Sequence, residues 1–192
     1  MREKHIETEE LGFDLSSSRS TEKCFPDREE KTVTCGLDPS DEYFMRLAIE
    51  QAQLAESIDE VPIGAVAVKD GKVIAAAYNT RETERCATHH AELICIERAC
   101  KALGGWRLPG VTLYVTLEPC CMCAGAIINA RIPRVVYGAS DYRFGALGSL
   151  CDLSKIPFNH IPSVLPGVLS EECSSILTEY FKKKRGKREQ NG

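Results

Sequence analysis

Two apolar runs on either side of Asp70-Gly71, "VPIGAVAVK" and "KVIAAAYN", limit the fold of this chain more than any other feature. A type I′ turn needs positive φ at both central residues, and Asp-Gly is one of the dipeptides that supply it. The two runs therefore predict a β-hairpin. Segments with helical spacing of apolar residues and further short strand patterns follow the hairpin in alternation.

This alternation predicts the element order α-β-β-α-β-α-β-α. Helices are predicted to begin at Ser40, near His90, at Pro119 and near Ser170, and the strands "VTLYVTL" and "RVVYGA" lie between them. Ser40 is the predicted N-cap of the first helix, with Asp41 and Glu42 at its positive end. Strands separated by helices favour right-handed parallel crossovers, so we expect an α/β fold with a mixed, mostly parallel sheet and helices on both faces.

Charge is distributed unevenly along the 192 residues, whose net charge is −4. Residues 1–36 hold nine acidic and six basic side chains, which supply −3 of that total. We expect residues 1–38 to be a disordered acidic extension, 39–186 to be the folded domain, and 187–192 to be a flexible basic tail. The run "FKKKRGKR" at 181–188 is either a solvated tail or a nucleic-acid contact.

The ten cysteines are expected to be reduced and the protein cytoplasmic. The chain opens with "MREKHIETEE", which lacks the apolar region of a signal peptide, and its acidic start is unlike a transit peptide. No apolar run approaches the roughly 18 residues that a membrane helix needs. Six cysteines are interpreted as plain loop or core residues. These are Cys24, Cys35, Cys95, Cys100, Cys151 and Cys173.

The chemistry-bearing residues lie between His90 and Cys123. Cys120 and Cys123 have the i, i+3 spacing that directs two side chains to one side of a helical turn. Two thiolates and one imidazole suit zinc. His90 can join them if it lies at a helix entrance, where it can also converge with Glu92.

The number of ligands decides the kind of zinc site. Structural zinc uses four protein ligands, whereas catalytic zinc keeps one position for water and lowers the pKa of that water toward about 7. Three good ligands are present, and Cys86 or His160 could still be a fourth. Glu92 could move protons beside such a site or could be an ordinary helix acid facing solvent. Cys121 lies about 100° around the helix from Cys120 and is expected to pack instead of ligating.

These residues resemble the zinc-dependent nucleoside and base deaminases. His90-Ala91-Glu92 and Pro119-Cys120-Cys121-Met122-Cys123 fit the H-x-E…P-C-x-x-C signature of that family. The chain is more specifically similar to tRNA-specific adenosine deaminases in the segments "EYFMRLAIEQAQLA", "EVPIGAVAV", "GGWRL", "TLYVTLEPCCMCAGAIINARIPRVVYGASD" and "GSLCDL". The resemblance implies a three-layer α/β/α cytidine-deaminase-like fold and deamination of adenosine to inosine at the wobble position of tRNA anticodons.

The resemblance also implies site residues. His90, Cys120 and Cys123 would hold one Zn²⁺ per subunit, and Glu92 would move protons. The implied substrate contacts are Asn79, Ala91, Asp141, Phe181 and Lys182. Three of these have simpler interpretations: Asn79 as a turn residue, Asp141 as a loop cap and Phe181 as part of the core. The implied partners are the tRNA anticodon arm and a second copy of the chain, with no membrane.

Two features depart from the family pattern. The run before the histidine is Cys86-Ala87-Thr88-His89, where the family often has an Asp-Pro-Thr-Ala-like run, and the 38-residue extension has no counterpart in compact members. Two other functions compete with tRNA editing. A guanine or other free-base deaminase shares the short motifs. In a non-enzymatic zinc module, Glu92 would have no functional role.

Overall fold

The computed structural model describes residues 38–190, with side chains described as far as Gly186. The predictions made for residues 1–37 lie outside this part of the chain. Four α-helices and five strands follow in the predicted order, with one added strand near the end. They are α1 (Asp41–Ser57), β1 (Gly64–Lys69), β2 (Lys72–Tyr78), α2 (Ala91–Leu103), β3 (Val111–Leu117), α3 (Cys121–Asn129), β4 (Arg134–Ala139), β5 (Ser163–Leu165) and α4 (Ser170–Gln190), with a 3-10 turn at Leu153–Lys155.

The strands form one mixed sheet in the order β2-β1-β3-β4-β5. Strand β1 is antiparallel to both β2 and β3, whereas β3, β4 and β5 are parallel to one another. Four of the five strands therefore run in one direction and β1 alone opposes them, which confirms the mixed sheet. Strand β5 was missed because three residues, "SVL", are too short for a period-two pattern.

The hairpin turn has the predicted backbone. Asp70 has φ 50° and Gly71 has φ 69°, so both central residues adopt the left-handed conformation that a type I′ turn requires. Lys69 and Lys72 pair across the turn, and the register shifts between Ala67 and Val68. A bulge at this point adds local twist to the ribbon.

Helices cover both faces of the sheet because successive side chains of a strand point to opposite sides. Ala65 and Ala67 of β1 pack with helices α2 and α3 in one core. Val66 and Val68 pack with helices α1 and α4 in the other. The predicted three-layer arrangement is therefore confirmed.

Helix α1 lies directly against the beginning of β1 at Gly64. A Cβ atom added there would overlap the carbonyl oxygen of Ala48 and the amide nitrogen of Ala52, both in the helix backbone. Glycine is therefore required at this position by close approach and not by an unusual φ. The contact fixes the depth at which α1 packs on the sheet.

Asp41 has a larger role than that of a helix-end acid. Its side chain is fully buried, and the Arg134 guanidinium donates to both carboxylate oxygens at 2.7 and 2.8 Å. The Tyr114 hydroxyl donates to the same carboxylate at 2.8 Å. Burial opposes ionisation, but these hydrogen bonds hold the pKa of Asp41 below its usual value. Ser40 is the N-cap of α1 as predicted, but its hydroxyl donates to Asp38 and makes no capping hydrogen bond to the helix.

Helix α4 extends through Gln190, so the boundary predicted after residue 186 falls inside a helix. Lysine, arginine and glutamate are good helix formers, and a basic run can therefore continue a helix instead of ending it. Along residues 38–190, no helix combines the length and apolar character needed to cross a membrane. At the β2 edge of the sheet, the Arg98 guanidinium donates to the Ala76 carbonyl at 2.6 Å.

Candidate active site

His90, Cys120 and Cys123 converge at the beginnings of helices α2 and α3. His90 is the N-cap of α2 and Cys120 is the N-cap of α3, and both have extended backbone. His90 thus lies at a helix entrance, as the spacing argument required. Its Nδ1 atom is 3.8 Å from the Cys120 sulfur and 3.6 Å from the Cys123 sulfur.

These distances fit a zinc ion. Tetrahedral zinc, with Zn–S of about 2.3 Å and Zn–N of about 2.0 Å, places its sulfur and nitrogen ligands about 3.5 Å apart. Within residues 38–190, His90, Cys120 and Cys123 are the donors that gather in this way. The two alternative ligands have other partners: Cys86 contacts the Thr88 hydroxyl at 3.3 Å, and His160 Nε2 contacts the Ile132 carbonyl at 2.7 Å.

The local environment favours a thiolate at Cys120. Hydrogen bonding from the Cys123 thiol and from the His90 imidazole lowers the pKa of Cys120 to about 4. The same contact raises the pKa of Cys123, which keeps its proton while it donates to Cys120. A metal ion that replaces this proton would meet one thiolate already formed and a second donor beside it.

Glu92 lies in the first turn of α2, and its side chain is only 3% exposed. Its Oε2 atom is buried without a hydrogen-bond partner among the described residues. Burial raises the pKa of this carboxyl. A buried carboxyl with a free oxygen and a raised pKa is suited to accept and return a proton. The interpretation of Glu92 as a solvent-facing helix acid does not fit this burial.

Asn79 and Ala91 are joined across the site. The Ala91 amide donates to Asn79 Oδ1 at 2.8 Å, and both residues are buried. Because a backbone N–H must meet the amide oxygen, the orientation of the Asn79 side chain is determined. Its amide nitrogen is left as the group that can donate to a bound molecule.

A cavity of about 670 Å³ opens beside these residues. One part of its wall, here called the metal side, is lined by His90, Glu92 and Cys120 and includes Cys123, which is buried and does not itself line the cavity. Another part, here called the loop side, combines the β4 loop (residues 140–152) with the exposed face of α4. Its charged and aromatic lining residues are Asp141, Arg143, Phe144, Phe181 and Arg185. This volume lies in the range of small-molecule sites, and its mouth is open to a larger ligand.

Two of the implied substrate contacts, Asp141 and Phe181, lie on the loop side. Asp141 lines the cavity, but its carboxylate also accepts the amides of Arg143 and Phe144 and so closes a turn. Phe181 lines the cavity and is 38% exposed, whereas the neighbouring Tyr180 is buried. The core interpretation therefore belongs to Tyr180 and not to Phe181.

Lys182 does not line the cavity, although the resemblance implied a substrate contact there. Phe181 and Arg185 are four residues apart and share one face of α4, whereas Lys182 lies about 100° around the helix from Phe181. The next two lysines are paired with acids: Lys183 with Glu56 and Lys184 with Asp59, at 2.8 and 2.7 Å. Among the cations of the basic run whose side chains the structure describes, residues 182–185, Arg185 is thus the one that reaches the cavity.

Glu118 is a site residue that the sequence analysis missed. Its buried carboxylate accepts three backbone amides of the β4 loop, from Asp141, Leu147 and Ser149, at 3.0 to 3.1 Å. It therefore holds the loop side in place from the end of β3. An acidic residue directly before Pro119-Cys120, at the end of an otherwise apolar strand, was the available signal.

Glu60 was also missed. It is 1% exposed and lines the cavity, and its Oε1 atom accepts from the Thr83 amide at 2.6 Å. Arg81 and Arg143 also line the cavity and were likewise missed. Nothing in the local sequence around these two arginines distinguishes them from ordinary surface residues.

Comparisons with known proteins agree with this fold. Residues 39–185 match the model of the MafB19-like deaminases. The tRNA-specific adenosine deaminase of Bacillus subtilis (strain 168) is 52% identical over 149 residues, which cover 77% of this chain and 92% of that protein. A solved tRNA:A34 deaminase, studied for A-to-I editing at the wobble position of transfer RNA, has 49% identity and a TM-score of 0.68, over 70% of this chain and 99% of that one.

Guanine deaminase from Nitrosomonas europaea is more distant. It has a TM-score of 0.62 over 80% of this chain and 98% of that one, but only 23% identity, so the likeness concerns the fold alone. The three layers and the His-Cys-Cys site define a deaminase with the cytidine-deaminase-like fold. Within that class, the chain belongs to the family of tRNA-specific adenosine deaminases.

Proposed function

We propose that this protein hydrolyses adenosine to inosine at position 34, the wobble position, of tRNA anticodons. The observation that carries the proposal is a buried carboxyl, Glu92, with one unpartnered oxygen beside a three-donor metal site. The relatives named for tRNA adenosine and for A34 give the substrate class.

The metal in this proposal is one Zn²⁺ per subunit, held by His90, Cys120 and Cys123. Zinc, when bound, acidifies water and so supplies a nucleophile at neutral pH. The donor set of one imidazole and two thiols suits zinc, and three protein ligands leave a position for water.

Glu92 would act as the proton carrier of the reaction. Its carboxylate would take a proton from the attacking water and deliver it to the adenine ring, and it would then assist the departure of ammonia. Its raised pKa matches this alternation between charged and neutral forms. Asn79 would orient the base through its amide nitrogen, because its oxygen is held by the Ala91 amide.

The loop side would bind the anticodon. Splayed RNA bases stack on aromatic side chains while Arg and Lys pair with phosphates. Phe181 is an exposed ring at the cavity, and Arg143 and Arg185 lie beside it. Asp141 would contact the RNA next to the target base. Lys182 remains in the proposal only as a more distant phosphate contact.

A homodimer and a cytoplasmic location belong to the same proposal. The homodimer is implied by the resemblance to the family, whose subunit contact helps to build the RNA site, and the cytoplasmic location follows from the interpretation of the cysteines as reduced thiols. The described cysteines are all free thiols, which suits a reducing compartment.

The decisive experiment is an assay of the zinc-loaded protein on anticodon stem-loops that carry adenosine at the wobble position, with free guanine as the competing substrate. We expect inosine in the stem-loop and no turnover of guanine. Guanine turnover without stem-loop editing would favour the free-base deaminase, and failure with every adenosine-bearing anticodon would overturn the proposal.

A further inference from the structure

Cys121 and Cys151 form an exposed thiol pair beside the metal side. Cys121 is the first residue of α3 and Cys151 lies near the end of the β4 loop, and their sulfurs are 3.8 Å apart. Both residues are exposed, whereas Cys95 and Cys173 are buried. The earlier interpretation of Cys151 as a plain loop residue leaves this contact unexplained.

The backbone keeps the two cysteines adjacent through Gly145. Cys120, which precedes Cys121, forms an isolated antiparallel bridge with Gly145. The Cys151 amide donates to the Gly145 carbonyl at 3.2 Å, and the Cys151 carbonyl accepts the Gly148 amide at 3.0 Å. Both chain segments are therefore held against the same residue, and the proximity of the sulfurs does not depend on side-chain rotamers alone.

The geometry points to a site of covalent modification. A disulfide has an S–S length of about 2.05 Å, so the sulfurs must approach by roughly 1.8 Å, a distance within the reach of side-chain rotation and a small loop movement. We propose that Cys121 and Cys151 are a redox modification site, at which hydrogen peroxide joins the two sulfurs in a reversible intramolecular disulfide.

The reaction balances with two thiols and one peroxide. One thiolate attacks a peroxide oxygen, and the O–O bond breaks to give a sulfenic acid and a hydroxide that takes up the thiol proton as water. The second thiolate attacks the sulfenic sulfur, the S–S bond forms, and the S–O bond breaks with loss of a second water. Two electrons pass from the thiols to the peroxide. A dithiol reductant restores the thiols by exchange.

The disulfide would tie the β4 loop to the first turn of α3, one residue after Cys120. That loop carries Asp141, Arg143 and Phe144 on the cavity wall. Oxidation would therefore add a covalent link between the β4 loop, which is part of the loop side, and the start of α3, which is part of the metal side. The inference concerns thiol chemistry and holds whether or not the proposed deamination is correct.

The test uses the full, zinc-loaded chain. After exposure to hydrogen peroxide, the free thiols are alkylated with iodoacetamide and the protein is digested with trypsin without reduction. Before alkylation, we expect the intact mass to fall by two hydrogens. After digestion, we expect peptide 108–131 to be linked to peptide 144–155. The link should disappear in Cys121→Ser and in Cys151→Ser, return to free thiols with dithiothreitol, and form while zinc stays bound.

Cys86→Ser is the matched control. The disulfide link should form unchanged in the Cys86→Ser variant. In the unsubstituted chain, hydrogen bonding by Thr88 lowers the pKa of Cys86, so this single thiol reports whether the peroxide dose oxidises a reactive cysteine. The proposal fails if peptide 144–155 is linked in Cys121→Ser, if the disulfide joins two copies on a non-reducing gel, or if both cysteines are fully alkylated at a dose that oxidises Cys86.

Discussion

The metal side and the loop side of the cavity are built in different ways. The metal side comes from two helix starts, and its four residues occupy two short stretches of sequence, 90–92 and 120–123. The loop side combines residues 140–152 with one face of α4, whose lining residues extend to Arg185. On the metal side each donor is positioned by the backbone of its own helix start, and the two starts meet across 30 residues, whereas the loop side also depends on side-chain contacts such as those of Glu118.

Substitutions on the metal side and on the loop side are therefore expected to affect different steps. Changes on the metal side should alter the chemical step, because Glu92 and the three donors are buried or partly buried and close together. Changes on the loop side should alter binding, because its aromatic and basic side chains are exposed at the cavity mouth. Measuring kcat and KM separately tests this division.

The largest effect is expected for Glu92→Gln. The amide keeps the shape of the side chain but cannot carry a proton, so kcat on the stem-loop should fall by roughly 10²–10⁴-fold. KM should change little, and metal analysis should still find zinc. Unchanged turnover would remove Glu92 from the chemistry and favour a non-enzymatic zinc module.

A large effect on stability, but not on catalysis, is expected for Asp41→Asn. The Arg134 guanidinium would no longer pair with a buried carboxylate at this position, at a cost of about 3 kcal/mol in the free energy of unfolding. Urea denaturation measures this cost. Asp41 lies in neither wall of the cavity, so the folded fraction should keep its kcat and KM, and a loss of kcat at full folding would show that the two regions are coupled.

The same pair predicts a pH dependence. The pKa of Asp41 is lower in the folded protein than in the unfolded chain, so its contribution is fully present above about pH 4. It is lost as the pH falls through the lowered folded value. The stability difference between wild type and Asp41→Asn should therefore be constant near neutral pH and shrink in acid. A difference that grows in acid would contradict this assignment.

Glu118→Gln should act on the loop side with a smaller effect. One carboxylate oxygen becomes an NH₂ group, which leaves at least one of the three loop amides without an acceptor. We expect a loss of about 1–3 kcal/mol in stability and a rise in KM for the stem-loop that exceeds the fall in kcat. An effect on kcat alone would show that Glu118 acts on the chemical step and not on binding.

The smallest effect separates Arg185 from Lys182. Arg185→Ala should raise KM for the stem-loop several-fold and reduce the salt dependence of binding, because a phosphate contact is lost. Lys182→Ala is the matched control on the same helix and should change KM less, since Lys182 does not line the cavity. Equal effects would mean that the basic run acts only through its total charge.

The sequence predicted what depends on local backbone geometry or on the chemistry of the donors. The Asp70-Gly71 turn follows from its dipeptide, whereas His90 and the two cysteines, which are 30 and 33 residues apart, were grouped because their donor atoms suit one metal ion. Two helix starts facing one another convert a short motif into a site. These features needed no knowledge of the sheet order.

The features that the sequence did not predict depend on distant partners. Asp41 lies 93 residues from Arg134, and its first-turn position suggested only a favourable interaction with the helix dipole. Glu118 meets amides 23 to 31 residues later. Lys182 was chosen from the composition of the basic run, whereas the helical phase of α4 selects Arg185 instead. Such choices depend on which faces meet, and one sequence does not reveal that.

The two edges of the sheet also bear on how copies of this chain can associate. Strand β5 has only three residues, so it offers few free N–H and C=O groups to a strand from another molecule. At the other edge, the Arg98 guanidinium already occupies the Ala76 carbonyl. We therefore expect the proposed homodimer to form through helix and loop surfaces and not through the short β5 edge.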